Sequence, residues 1–413
     1  MPPTKPALSY RLLSFALFIV WVLHALWLAL KNNQLNFFWQ RLGFYPADKC
    51  KQNIWIHAAS VGEIELIKPL VEHLCKDHCI LVTTFTVTGY QHALRCLPAT
   101  VLVRALPIDV LPLSHRFFQH FNFKLALIAE TELWPETLFQ AKQKGITLIQ
   151  INARLSEKSL KTSKWIKNLL INTLAYFDKY LTRTEQDIDN LIEMGADRNK
   201  ITVAGNLKYA HAGSLTTYER LIQQPYILFA STHHPEEKLF AQLIKLLAVK
   251  QLVVIAPRHP HRAKEILVEL HALGLDVKQR SLGQAITPTT QIYLADTLGE
   301  LQAFMTYAEL VIMGGSFNST GGHNVLEPAR LGKAVITGPS DTNIQQDIEL
   351  LAEHNAIVQV TGLDQLAEKI TLLLNNPGTL IELSDNAKKV MQSQNHILEN
   401  YLSIIDSYLE STQ

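Results

Sequence analysis

With 413 residues, 47% of them hydrophobic and 18% charged, the chain can bury the cores of two or three domains, and this excludes a disordered polymer. The formal net charge of +1 excludes nucleic-acid binding through a global basic field; any cationic function must be local. The cysteines, Cys50, Cys75, Cys79 and Cys96, form no CxxC pair and read as free thiols in a reducing compartment; none of the 16 histidines stands in an HExxH pattern.

The first element is an apolar run, Leu12 to Leu30, in which only Ser14 and His24 are polar. Nineteen residues at 1.5 Å each reach roughly 28 Å, close to the thickness of a bilayer core. Tyr10 and the Phe37-Phe38-Trp39 cluster stand where interfacial aromatics belong, and no small-residue cleavage site follows. Residues 1–40 are therefore expected to be a membrane anchor with a helix that spans the bilayer; a long helix lying in the interface is the alternative. Lys5 and Arg11 on one side, Lys31 and Arg41 on the other, orient it only weakly.

Short unbroken apolar runs then alternate with amphipathic stretches. Ile54–His57, Ile80–Thr84, Leu125–Ala129, Thr147–Ile151 and Ile201–Val203 read as parallel strands covered on both faces. Helical patterns such as Ile64–Leu74 and Trp165–Leu174 lie between them. A second series follows: Tyr226–Ala230, Leu252–Ala256, Ile292–Leu294, Leu310–Met313, Ala334–Thr337 and Ile357–Val360, with helices at Glu236–Leu247 and Pro260–Leu273. Lys208–Gln224 is polar and reads as the linker. Two open α/β sheets are expected, in domains 41–210 and 211–413, with ligands at the carboxyl ends of their strands.

Chemistry is sought in the loops that follow those strands. Ala58 to Glu63 is a small-residue turn into a helix; Glu63 there is either a general base or a first-turn residue that complements the helix dipole. Glu130-Thr131-Glu132-Leu133-Trp134-Pro135 puts two carboxylates behind a strand, where residues i and i+2 could converge; capping ahead of Pro135 is the alternative. Gly205-Asn206-Leu207-Lys208 offers Lys208 to a phosphate or leaves it a solvated linker residue. In the second half, Ser231-Thr232-His233-His234 resembles a capped helix start, and Pro257-Arg258-His259-Pro260 is a rigid turn presenting Arg258. Asp296 to Leu301, with Leu298, Gly299 and Glu300, is a further loop that could meet a base. Gly314-Gly315-Ser316-Phe317 and Gly321 to Pro328 place four glycines close behind a strand and ahead of a short helix near Asn324. The pattern is neither G-x-G-x-x-G nor a Walker loop, which disfavours a dinucleotide oxidoreductase or a P-loop ATPase.

Taken together, Trp55 to Glu63, Glu130 to Pro135, Asn152 to Ser156, Gly205 to Lys208, Pro257 to Pro260 and Gly321 to Pro328 resemble, in order and over nearly the whole chain, the 3-deoxy-D-manno-octulosonic acid (Kdo) transferases of lipid A biosynthesis. The resemblance implies a GT-B fold: two Rossmann-like domains facing across a cleft, the first taking the lipid A precursor and the second CMP-Kdo. It also implies attachment to the cell inner membrane with catalysis on the cytoplasmic side. Carried over motif by motif, Glu63 is the proton acceptor, and Glu132 and Lys208 stabilise the transition state. Pro257, Arg258, Leu298, Gly299, Glu300, Asn324, Val325, Leu326 and Glu327 form the CMP site. No Asp-x-Asp stands at a strand end, so no metal or other cofactor is expected, and no nucleic-acid partner. A UDP-sugar transferase or epimerase of the same fold, or a catalytically silent membrane scaffold, are the alternatives.

Overall fold

The computed structural model describes residues 4–47, 53–155, 157–210, 217–247, 250–342 and 344–410. The chain forms two compact units, Met1–Ser214 with Asn395–Gln413, and Leu215–Gln394.

The first unit is built on strands β1 (Ile54–His57), β2 (Ile80–Thr84), β3 (Leu102–Ala105), β4 (Leu125–Ala129), β5 (Thr147–Ala153), β6 (Lys179–Thr182) and β7 (Ile201–Val203). They form one parallel sheet in the order β3-β2-β1-β4-β5-β6-β7. Its central strands are mostly apolar because helices cover both faces: Ile54 and Ile56 enter one core and Trp55 the other, by strict alternation. The order reverses between β1 and β4, and at such a reversal the loops leaving two adjacent strands diverge and open a crevice at their carboxyl ends.

The second unit holds β8 (Tyr226–Thr232), β9 (Leu252–Pro257), β10 (Val277–Gln279), β11 (Ile292–Leu294), β12 (Leu310–Met313), β13 (Ala334–Thr337) and β14 (Val358–Gln359). This sheet is also parallel, ordered β10-β11-β9-β8-β12-β13-β14, with its reversal between β8 and β12.

Three expectations are corrected. The final helix, His396–Glu410, does not belong with 211–413: its stripe of Ile397, Tyr401, Leu402, Ile405 and Leu409 is buried in the core of the first unit. The apolar run is not one helix but two, Leu8–Ala16 and Phe18–Lys31, bent by 49°; no single described helix is long and apolar enough to cross a membrane. Cys79 is disulfide-bonded, whereas Cys75 and Cys96 are free. The linker expected at 208–224 falls partly outside the described residues, at 211–216.

Candidate active site

In the first unit, β1 ends at His57 and its hydrogen-bonded neighbour β4 at Ala129, so the loops bearing Glu63 and Glu132 leave the sheet side by side at its reversal. Ser60 caps the helix Val61–Leu74 by accepting the Glu63 backbone N–H, 3.4 Å. In return the Ser60 hydroxyl donates to Glu63 Oε1 at 3.0 Å and the Ala59 N–H donates to Oε2 at 2.8 Å. This is a variant of the capping box in which the carboxylate accepts the N–H just before the N-cap residue, so Glu63 helps cap its own helix. The same bonds fix the carboxylate in place. Burial raises its pKa, the Ala59 N–H opposes that, the nearby Glu132 charge raises it further, and Ser60 and His57 pull it down. The net shift is upward, which makes Glu63 a stronger base than an exposed carboxylate.

Glu130 and Glu132 do not converge. β4 stops at Ala129, and Glu130 takes a left-handed backbone (φ 50°), which breaks the two-residue alternation. Glu130 is held by Arg154, with Nη2 at 2.7 Å and Nε at 3.0 Å, while Glu132 Oε2 accepts the Trp134 indole N–H at 3.1 Å. That N–H also lies 3.2 Å from His57 Nε2, and Glu132 Oε2 is 3.7 Å from the same nitrogen. His57 is fully buried, with Nδ1 2.9 Å from the Thr83 hydroxyl, which also accepts the Trp55 indole N–H at 2.7 Å. The network assigns the ring proton to Nδ1 and leaves Nε2 as an acceptor. Trp134 stacks on Phe85 at 4.6 Å. His57, Thr83 and Phe85 thus orient Glu132 and Trp134; the only signal for this in the sequence is a histidine that ends an apolar strand.

Lys208 lies in a 3-10 turn, Leu207–Tyr209, packed against the helix that Glu63 opens. Asn152 Oδ1 accepts the Leu207 N–H at 3.0 Å, and Asn206 Oδ1 accepts the Lys208 N–H at 3.1 Å. The buried Tyr401 hydroxyl accepts the Asn152 N–H at 3.1 Å and donates to the Gly205 carbonyl at 3.0 Å, so the last helix fixes the Lys208 turn.

In the second unit the loops after β11, β9, β8 and β12 leave four adjacent strands at one edge. Pro257 ends β9 and is buried; Arg258 follows, exposed, and among the described residues no carboxylate engages it. His233 Nε2 lies 2.7 Å from His323 Nε2 with the rings stacked, and His259 meets His233 edge-on at 5.4 Å. Burial, then the charges of His233, Arg258 and His259, pushes His323 down to about 4; His233 is likewise lowered, by burial first and His259 next. These groups repel a proton from one another, the condition an anion would relieve.

The glycine-rich loop is fastened from below. Glu236, fully buried, accepts N–H bonds from Gly315 (2.8 Å), His233 (2.9 Å) and Phe317 (3.0 Å). A Cβ at Gly314 would stand 2.7 Å from Thr232 Cα, and one at Gly315, where φ is 70°, would stand 2.8 Å from the His323 ring. These two glycines therefore serve close packing beneath the loop, in addition to any ligand. Glu236→Ala would orphan three N–H groups at roughly 1–3 kcal/mol each. A loss of at least about 3 kcal/mol is expected in urea unfolding of the second unit; an unchanged midpoint would refute this role.

The remaining predicted donor residues divide. Asn324 Nδ2 donates to Glu327 Oε1 at 3.2 Å, and Asn324 Oδ1 accepts the Leu326 N–H at 3.0 Å. Val325 and Leu326 are core side chains, able to offer a ligand backbone only, and the helix itself is Leu326–Arg330. Leu298 is 84% exposed beside Gly299 (φ 87°). Glu300 is already paired with Arg280, at 2.6 and 3.0 Å, and bonded by the Thr297 hydroxyl; Arg280 first, and Thr297 after it, hold its pKa below the ordinary value. Among the described residues, Glu65/His92/Cys96 and His234/Glu265/Glu269 stand close enough to share a metal ion; neither group contains a predicted site residue. Ser156, the end of one matching stretch, lies outside the described residues.

Two parallel α/β units of this kind resemble those of GT-B glycosyltransferases and related epimerases. UDP-GlcNAc 2-epimerase from Neisseria meningitidis matches with a TM-score of 0.55 at 14% identity, covering 85% of this chain and all (100%) of that one, a likeness of fold. Residues 36–211 match the family model described as 3-deoxy-D-manno-octulosonic-acid transferase (kdotransferase). The 3-deoxy-D-manno-octulosonic acid transferase of Rickettsia bellii is 31% identical over 370 residues, 86% of this chain and 88% of that one. That of Haemophilus influenzae is 30% identical over 393 residues, 90% and 91% of the respective chains. The chain belongs to the Kdo transferase family, glycosyltransferases of lipopolysaccharide biosynthesis.

Proposed function

We propose that the protein transfers Kdo from CMP-Kdo to the lipid A precursor, tetraacyldisaccharide 4′-phosphate, with inversion at the anomeric carbon. The observation that carries this reading is Glu63: a fixed, half-buried carboxylate of raised pKa at the reversal of the first sheet. Glu63 takes the proton of the acceptor's primary hydroxyl as that oxygen attacks the anomeric carbon. The bond to the CMP phosphate oxygen breaks in the same displacement, so no covalent intermediate is needed. The transition state is oxocarbenium-like, as in glycoside hydrolysis, and Glu132 supports its positive charge. CMP leaves as an anion, stabilised by Lys208 and Arg258.

The second unit binds the nucleotide. Arg258 contacts the phosphate, the backbone of Pro257 and of Leu298–Glu300 lines the base, and Asn324 through Glu327 hold the ribose side. Lys208 and Arg258 supply the charge that a metal would otherwise provide, so turnover proceeds without one. The lipid acceptor places the protein at the inner membrane, its two units on the cytoplasmic side, where nucleotide-activated sugars are made; the apolar helix pair supplies the attachment. The UDP-sugar alternative is separated by ligand-dependent stabilisation. CMP and CMP-Kdo are expected to raise the melting temperature and UDP-GlcNAc to leave it unchanged. Stabilisation by UDP-GlcNAc alone would replace this donor with another.

A further inference from the structure

The apolar N-terminal segment is fastened to the first unit at both ends. Before it, the Tyr176 hydroxyl donates to the Thr4 carbonyl (2.6 Å), the Tyr10 hydroxyl to Asp109, and Arg11 grips the buried Glu136 through Nε and Nη2 at 2.8 and 3.0 Å. After it, Arg41 Nη1 donates to the Leu106 carbonyl (2.6 Å), the Ala105 N–H to Gln40 Oε1 (2.7 Å), and the Ile108 N–H to the Arg41 carbonyl (2.9 Å). The segment between also lies on the protein. Phe18, Trp21 and Val22 pack on Ile108, Val110 and Leu113, Ala25 and Ala29 are buried with Phe38, and Leu28 meets the main core. The spacing is one helical face.

The opposite face is apolar too, and outward: Leu12 and Phe15 on the first helix, then Ile19, Val20, Leu23, Trp27 and Leu30 on the second. No Lys, Arg, Asp or Glu occurs from Leu12 to Leu30. Cations stand at its margin, with Lys31 over the Trp27 ring at 5.1 Å and Arg116 over Phe44 at 5.0 Å. A protein partner's surface is normally mixed in polarity, whereas an uncharged face with aromatic and cationic edges suits the boundary between headgroups and acyl chains. A spanning segment must put its two ends on opposite sides of about 30 Å of hydrocarbon. Here the two ends are held on one domain, and the longer helix, 14 residues, reaches only about 21 Å.

We propose that residues 8–44 form a monotopic, in-plane anchor: the bent helix pair beds its outward face in one leaflet, keeps its inward face on the first unit, and leaves both flanks on the same side of the bilayer. This rests on the membrane reading above, and the test separates the two. Epitopes are fused ahead of Met1 and after Gln413, and spheroplasts and inside-out vesicles of a Gram-negative host are treated with protease. The expected result is a protein in the membrane pellet whose two epitopes are both protected in spheroplasts and both cleaved in inside-out vesicles. Cleavage of the two epitopes from opposite sides would overturn the in-plane anchor and spare membrane attachment; recovery of the protein in the soluble fraction would overturn both. As a second arm, Ile19→Asp with Leu23→Asp is expected to cut the ratio of pelleted to soluble protein at least about tenfold while CMP affinity stays unchanged. An unchanged ratio would refute the lipid-facing assignment.

Discussion

Glu63→Gln should lower the rate of Kdo transfer by about two to four orders of magnitude, the usual worth of a general base, and leave CMP affinity as it was. The substitution is chosen because glutamine also completes a capping box: its carbonyl oxygen can accept the Ala59 N–H, and its amide can donate to the Ser60 hydroxyl. Helix and thermal stability should therefore persist while the proton acceptor is gone. If Glu63 only caps its helix, the variant will turn over like the native protein. The pH profile adds an independent reading. Because burial and Glu132 raise the Glu63 pKa, the carboxylate protonates at a pH above the ordinary carboxylate range. The acid limb of kcat/KM should fall as pH drops through that raised value, and be missing from the residual activity of Glu63→Gln. An acid limb shared by both proteins would assign the titration elsewhere.

Arg258→Ala is expected to weaken CMP binding by about 10- to 150-fold, from roughly 1.5–3 kcal/mol for hydrogen bonds between charged groups and 1.4 kcal/mol per factor of ten. The guanidinium is exposed at the end of β9, beside His233 and His323, whose proton affinities are lowered first by burial and in smaller part by its charge. Its removal leaves no buried carboxylate unpaired: Glu237, the nearby acid, is held by Arg262 at 3.0 Å. Stability should change little, so calorimetry reports binding alone. Equal CMP affinity in the two proteins would remove Arg258 from the donor site.

The parallel sheets were legible because strands covered on both faces must be apolar throughout. β3 and β10 were missed for the same reason reversed: each is a sheet edge, where Arg104 or Lys278 is tolerated, and β6 opens on Lys179. The strand expected at Ile357–Val360 shrinks to the two residues of β14, another edge. At the site, position after a strand offered Glu63, Glu130, Glu132, Lys208 and Arg258 as candidates, each beside a structural alternative, and the roles given to Glu63, Glu132, Lys208 and Arg258 came from the family resemblance. Position could not separate Glu132 from Glu130, because the left-handed turn at Glu130 has no signature in glutamate. Nor could it reveal Tyr401, 249 positions from the Asn152 N–H it receives, or His57 and Glu236, whose work is to hold neighbouring loops. Hydropathy marked the N-terminal apolar run but could not show that it breaks into two helices bent by 49°. A helix with one apolar face on protein and another facing outward has the same composition as one that spans.

Incubating the lipid A precursor with CMP-Kdo and the native protein, and weighing the lipid by mass spectrometry, tests the central claim most directly. The precursor should gain the mass of one or more Kdo residues with the native protein and remain unmodified with Glu63→Gln over the same interval. A precursor left unchanged by the native protein, or modified equally well by the variant, would contradict the account.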